Sequence, residues 1–344
     1  MKIIIGIIIF SLTILIHELG HFLLAKKNGI QVNEFCLGFG PTIIGKTIGE
    51  TKYSLKLLPF GGACMMQGED EDDPDNPRAF CNQSVWARIQ VVLAGPIFNF
   101  ILAFVLALIV VGCVGIDQPV IGSLYENGPA AEAGLKAGDR IISINGDNIV
   151  IYREIANAGL FYNTPELKII YERAGEQKET IVNGIESQNS NEYYYGFRSS
   201  SGRSKVDPIK TIGYSFNEVG YWIRITLKSL GQLFTGKANV NDMQGPVGIV
   251  NTIGQTYERA SQDGAFYIFI NMVNIAILLT ANLGVMNLLP IPALDGGRFV
   301  LLVIEGIRKK RFNPDIEGRI KVIFFMLLLA LMVYIMINDV IKLF

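Results

Sequence analysis

Four apolar stretches organise the chain. They cover residues 3–25, 85–114, 265–289 and 320–337. Each approaches the roughly 20 residues that a membrane-crossing helix needs. The first is interrupted by Ser11, Thr13 and a polar cluster at 17–21, and it closes on Lys26 and Lys27. No small-residue cleavage site follows, so it reads as a retained span, not a signal peptide. Arg88, Gly95, Pro96 and Asn99 interrupt the second, and a proline-rich break ends the third. Four spans put both termini on one side. The 26–84 loop carries Lys26, Lys27, Lys46, Lys52, Lys56 and Arg78, and residues 297–321, read as a loop, are also rich in Lys and Arg. Both are expected to be cytoplasmic, which leaves the termini and the 115–264 segment outside, because long domains translocate largely regardless of charge.

Between the spans the pattern changes. In the first loop Lys52, Ser54 and Lys56 alternate with Tyr53, Leu55 and Leu57, the period of a half-buried strand. Gly61 and Gly62 follow and read as a hairpin turn. The acidic run from Glu69 to Asp75 lacks the alternating ligands and hinge glycine of a calcium loop, so it reads as a solvated linker. In the outer segment, residues 128–138 suggest a short helix framed by glycines. Residues 139–146 suggest a strand ending in Asn-Gly, 152–161 a helix, and 167–173 with 180–182 a strand pair about Gly175. The order Pro-Ala-x-x-Ala-Gly-Leu-x-x-Gly-Asp-x-Ile-x-x-Ile-Asn-Gly resembles a PDZ domain, a module that binds extended peptides by strand addition. Residues 214–234 have helical character beside the membrane.

Composition narrows the class. The chain has 344 residues, 50% hydrophobic and 18% charged, where soluble domains carry about a quarter charged. The net charge of -1 gives no basis for binding nucleic acid. The four cysteines, Cys36, Cys64, Cys81 and Cys113, form no C-x-x-C pair, which argues against a thiolate zinc site or a disulfide framework. There are only two histidines, His17 and His21, with Glu18 beside the first. H-E-x-x-H on a helix puts both imidazoles on one face, one turn apart, where they can share a zinc ion, with Glu18 close enough to take a proton from an attacking water. Three ionisable groups within five residues of a membrane span are costly and point to function. A catalytic zinc usually has three protein ligands. With no third histidine, the last must be Asp, Glu or Cys. The best candidate is Asp295, in Asn287-Leu-Leu-Pro-Ile-Pro-Ala-Leu-Asp-Gly-Gly. There Pro290 and Pro292 end the third helix, and Gly296 and Gly297 are expected to free the backbone.

These motifs together resemble the site-2 protease-like intramembrane zinc metalloproteases, of the bacterial regulator-of-sigma-E protease type with a single PDZ domain. The resemblance covers nearly the whole chain. Gly38-Phe-Gly-Pro, Ala94-Gly-Pro-x-x-Asn99 and Gly245-Pro-Val-Gly-Ile match further family segments. One departure is Phe60-Gly-Gly-Ala-Cys-Met, which keeps the family's Gly pair without its tyrosine and lysine. The resemblance implies a polytopic α-helical membrane protein of about four spans, with a small cytoplasmic β-hairpin region and an inserted extracytoplasmic PDZ-like α/β domain. The corresponding division is 1–114 and 265–344 for the membrane core, 115–210 for the PDZ-like domain and 211–264 for a juxtamembrane amphipathic region. It implies zinc on His17, His21 and Asp295, Glu18 as catalytic base, and Asn287 orienting substrate backbone. An exposed strand edge could hold an unwound substrate, and residues 53–57 with Gly61 and Gly62 are the candidates. The implied partners are the lipid bilayer and single-span membrane proteins, such as anti-sigma factors, or signal-peptide remnants. The implied location is the plasma or inner membrane, with the site towards the cytoplasm. A non-catalytic zinc-binding scaffold with a PDZ domain is the alternative, and retention of Glu18 argues against it. A transporter would show its polar motif twice, and no second copy occurs.

Overall fold

The computed structural model describes residues 2–69, 73–186, 193–236 and 243–342. Residues 70–72 of the acidic run therefore lie outside the described residues. The chain opens with α1 (Lys2–Lys27), β1 (Val32–Ile48), β2 (Thr51–Met66) and α2 (Val85–Val114). Then come β3 (Ile116–Asp117), β4 (Ile121–Leu124), α3 (Pro129–Glu132), β5 (Arg140–Ile144), β6 (Asp147–Asn148), α4 (Tyr152–Ala156), α5 (Ala158–Phe161), β7 (Glu166–Arg173) and β8 (Glu176–Asn183). The short strands β9 (Ile185–Glu186), β10 (Tyr193–Tyr194), β11 (Phe197–Ser200) and β12 (Arg203–Ser204) lead into α6 (Pro208–Phe234). The chain ends with α7 (Pro246–Ser261), α8 (Ala265–Asn287), α9 (Asp295–Arg308) and α10 (Pro314–Ile341). It forms two compact units, one of Met1–Leu106 with Asn241–Phe344, the other of Ala107–Val240.

Four helices among the described residues are long and apolar enough to cross a membrane: α1 from Ile4, α2, α8 and α10. These are the four expected spans. The third ends at Asn287, short of the expected 289, and the fourth begins at Pro314. A core of Ala25, Ile30, Val32, Val91, Val92 and Leu302 joins α1, the hairpin, α2 and α9. A second cluster, around Ile9, Ile253, Met272 and Ala276, joins α1, α7 and α8. Residues 297–321 are not the loop expected. Residues 297–308 lie in α9, whose Phe299 and Leu302 pack into the core, and 314–321 open α10. The Gly-Gly pair and the basic residues hid a short amphipathic helix whose apolar face is only a few residues long.

The hairpin also departs from expectation. Its reversal lies at Gly49, between the paired Ile48 and Thr51, not at Gly61 and Gly62. Those two glycines lie inside β2, with Gly62 paired to Leu37. The strands are long and irregular, so β1 meets β2 twice. Cys36 pairs with both Ala63 and Ser54, and Leu37 with both Gly62 and Leu55. Gly38 has φ +91, and a β-carbon there would lie 2.5 Å from the Leu58 carbonyl oxygen, so only glycine fits this fold-over. As a result Tyr53, Ser54 and Leu55 have backbone partners on both sides, and the 53–57 stretch is not a free edge there. Residues 62–65 pair with β1 alone, which makes them the edge.

The second unit is built on an antiparallel sheet of order β6-β5-β7-β8. Its turns are as expected: Asn145 and Gly146 both have positive φ, and so do Ala174 and Gly175, the tight hairpin conformation. Pro129 starts α3 behind Gly128, where its missing N–H costs nothing. Ile121, Ile141, Ile144, Ile155, Leu167 and Ile169 fill the core. Asp139, buried beneath the sheet, accepts hydrogen bonds from the Lys136 backbone and from Arg173. Helix α6 is tied to α4 by ion pairs from Arg153 to Glu218 and from Arg224 to Glu154.

Candidate metal centre

Helical spacing stacks His17 and His21 on one face of α1. Both are buried, and their rings meet edge to face with centroids 4.8 Å apart. Their Nε2 atoms are 3.2 Å apart. Asp295 approaches from α9. Its Oδ2 lies 3.2 Å from His17 Nε2 and 3.4 Å from His21 Nε2. Ligand atoms of the three residues fall within 4.8 Å of one another. The cluster joins residues some 270 positions apart in the chain.

The path that delivers Asp295 is a tight reversal. Helix α8 stops at Asn287, and bonds from Ile291 N to Leu289 O and from Leu294 N to Ile291 O turn the chain into α9, whose first residue is Asp295. A carboxylate at a helix N-terminus is favoured by the helix dipole. Gly296 and Gly297 are ordinary helical residues, so the expected backbone freedom is not their role. They are glycine for lack of space: a β-carbon at Gly297 would come within 2.7 Å of Pro292 Cα, and one at Gly296 would overlap Leu288. Helix α9 is held at both ends. Arg298 pairs with the Glu69 side chain and donates to its carbonyl at 2.8 Å. Glu305 accepts two bonds from the buried Arg88 of α2, at 3.1 and 2.5 Å.

Helix α2 forms the floor. A β-carbon at Gly20 would stand 2.5 Å from the Ala94 carbonyl oxygen, so the two helices touch backbone to backbone. Gly95 faces the rings, and a β-carbon there would overlap His21 Nε2. From the same helix, the Val91 carbonyl lies 2.8 Å from His21 Nδ1. A carbonyl only accepts, so Nδ1–H donates and Nε2 keeps its lone pair towards Asp295. Asn99 reaches His17 Nδ1 at 3.1 Å. In the sequence Gly95 and Asn99 stand out only as interruptions of an apolar span and as motif matches, not as partners of the histidine rings. Their four-residue spacing, the same as that of the histidines, was the available signal.

The remaining expected residues divide. Asn287 is at the site, its Nδ2 3.4 Å from His17 Nε2. Gly62 is beside Glu18: a β-carbon on Gly62 would lie 3.1 Å from Glu18 Cγ and 3.1 Å from Ile14 Cγ2. Gly61 faces the Phe39 ring instead.

The donor set fits a metal. Asp295 Oδ2 is buried and has no hydrogen-bond partner, although two imidazole nitrogens lie within 3.4 Å. Buried polar atoms are normally paired. Two imidazole nitrogens converging on a buried carboxylate oxygen that has no hydrogen bond are the geometry of ligands that share a cation. Two histidines and a carboxylate are a catalytic zinc set that leaves a fourth position open.

The model of the family described as Peptidase family M50 matches residues 5–331. A Bacillus licheniformis protein named zinc metalloprotease RasP is 31% identical, covering 98% of this chain and 98% of its own. A Bacillus subtilis protein named regulator of sigma-W protease RasP is 31% identical with the same coverage. A Clostridium acetobutylicum protein whose name also includes the words zinc metalloprotease is 39% identical over 340 residues, 99% of this chain and 97% of its own.

Proposed function

The chain belongs to peptidase family M50 and is an intramembrane zinc metalloprotease, and from that premise we propose that His17, His21 and Asp295 hold the zinc while Glu18 moves the protons. The observation that carries this reading is the convergence of the three ligand atoms on α1 and α9. Zinc bound there supplies Lewis acidity to the scissile carbonyl and to the attacking water. Glu18, one position round the helix from His17, takes a proton from that water and passes it to the leaving amide nitrogen. Asn287 donates from Nδ2 to a substrate carbonyl and so orients the backbone beside the site.

A transmembrane helix hides its peptide bonds, so the substrate must unwind before attack. The 62–65 edge of β2, which pairs with β1 on one side only, offers its other side to such a segment. Gly62 keeps this edge close to Glu18, since no side chain stands between them. Gly61 lets the strand bend at φ +99. In this reading residues 115–210 are a single PDZ-like domain that captures peptide or excludes bulky ectodomains. Both termini and this domain are extracytoplasmic, and the site opens towards the cytoplasm. The substrates are single-span membrane proteins, among them anti-sigma-factor-like regulators, in keeping with the name of the Bacillus subtilis relative, or signal-peptide remnants.

The test uses the full chain in detergent with a single-span substrate. Wild type should cut within the span. Glu18→Gln should retain zinc and lose cleavage, and equal cleavage by both would remove Glu18 as the base. Asp295→Ala should lose zinc, and unchanged binding would remove it as a ligand.

A further inference from the structure

Asn99 is fully buried in α2, at 0% exposure. Its Oδ1 has no hydrogen-bond partner, and its Nδ2 sits 3.1 Å from His17 Nδ1. Its backbone carbonyl is separately engaged by Thr280 of α8 at 3.2 Å. Burying an amide with one end unpaired costs stability. An apolar side chain at this position would carry no unpaired polar atom. The side-chain bond that Asn99 does make falls on a residue whose other nitrogen faces Asp295.

A histidine that offers Nε2 to a cation must carry its proton on Nδ1. That N–H requires an acceptor, and the acceptor fixes both the tautomer and the ring orientation. For His21 the Val91 carbonyl does this. For His17 the group in place is the Asn99 amide. With Nδ2 towards the ring, it suits the tautomer that carries the proton on Nε2. A half-turn of the amide exchanges Nδ2 for Oδ1, which accepts from Nδ1–H. An asparagine can serve both tautomers at one position. We infer that Asn99 is a positioning residue for the zinc site, presenting Oδ1 to His17 Nδ1–H so that Nε2 points at the metal. This rests on the assignment of His17 as a ligand.

The chain contains only two histidines, so ¹⁵N-histidine labelling of the full protein reports the two imidazoles alone. In zinc-loaded wild type, both rings should show a protonated Nδ1 and a metal-bound Nε2. Asn99→Leu should disturb one ring and leave the other, His21, in place, with zinc affinity by chelator competition lower by about 10- to 100-fold. Asn99→Asp, an obligate acceptor, should restore the wild-type tautomer and most of the affinity. Unchanged spectra and affinity in Asn99→Leu would overturn the proposal. So would equal disturbance of both rings with no rescue by Asp, which would mark a packing role. If Asn99→Leu does not fold, Asn99→Asp alone decides, because loss of the protonated Nδ1 there contradicts the role. A wild-type protein whose rings ignore zinc would instead refute the ligand assignment itself.

Discussion

The backbone of Gly95 lies against the ring of His21, and no side chain fits between them. The same absent β-carbon would stand 2.6 Å from His17 Cε1, so one glycine of α2 sets the position of both rings. Gly95→Ala should push the ligands apart and lower cleavage by about 100-fold or more, because displacements near 1 Å already cost that much. Gly112 is the control in the same helix, with open space where a β-carbon would go. Gly112→Ala should leave zinc content and cleavage unchanged and stabilise α2 by up to about 1 kcal/mol. Metal analysis and cleavage assays on the two variants check the pair.

The Arg88–Glu305 pair is nearly buried, with side-chain exposures of 8% and 11%. Arg88→Met would leave Glu305 inside the protein with only the half-exposed Arg311, 3.7 Å away, as a counter-charge. The expected loss is about 3 kcal/mol, read by thermal unfolding in detergent. Replacing both residues with Met should cost less than replacing Arg88 alone, since no charge is then stranded. A double variant as unstable as the single one would show that the pair acts through its shape and not its charge.

Asp339 of α10 is buried, and its Oδ2 accepts from the Gly248 backbone at 2.7 Å in the first turn of α7. It therefore caps α7 from another helix. Gly245 and Gly248 leave room for it, since a β-carbon at either would approach the carboxylate to about 3 Å. Asp339→Ala should destabilise the protein by about 1–2 kcal/mol, the usual cost of a lost cap. Asp339→Asn, which keeps an acceptor, should recover most of it in the same unfolding measurement.

Glu50 sits at the hairpin turn, where hydrogen bonds from Arg78, and then Lys26, hold its pKa down to about 2 from 4.5. A depressed folded-state pKa means the contribution is complete above about 4.5 and is lost as pH falls through about 2. Wild type and Glu50→Gln should therefore differ in stability at neutral pH and converge between those values. The difference should be small and should shrink in salt, because the pair is exposed. Unfolding curves from pH 7 to 2 check the convergence.

Much of this molecule is legible in the chain. The four spans, the His17–His21 face, the candidacy of Asp295 and the tight turns at Asn145-Gly146 and Ala174-Gly175 all follow from local rules. Apolar length, helical period and turn chemistry act within one element, so they can be read one element at a time. Three readings failed for a shared reason. Gly61-Gly62 reads as a turn, Gly296-Gly297 as freed backbone and 297–321 as a loop. Each is decided by packing: Gly62 lies against Glu18 and Ile14 of α1, Gly296 and Gly297 lie against residues 288–292 of the preceding turn, and α9 docks Phe299 and Leu302 into the core.

Which carboxylate meets the two histidines and which strand segment is left at the edge are decided by tertiary structure. So is the use of α2 as the floor under His17 and His21. The two histidines meet Asp295 only because α8 ends at Asn287 and the chain reverses through residues 288–294. The open edge is 62–65 because 34–37 lies between two segments of β2. Strand partners and backbone contacts between helices depend on residues far apart along the chain. Local propensity can name the groups available for chemistry, but packing selects which of them share a site.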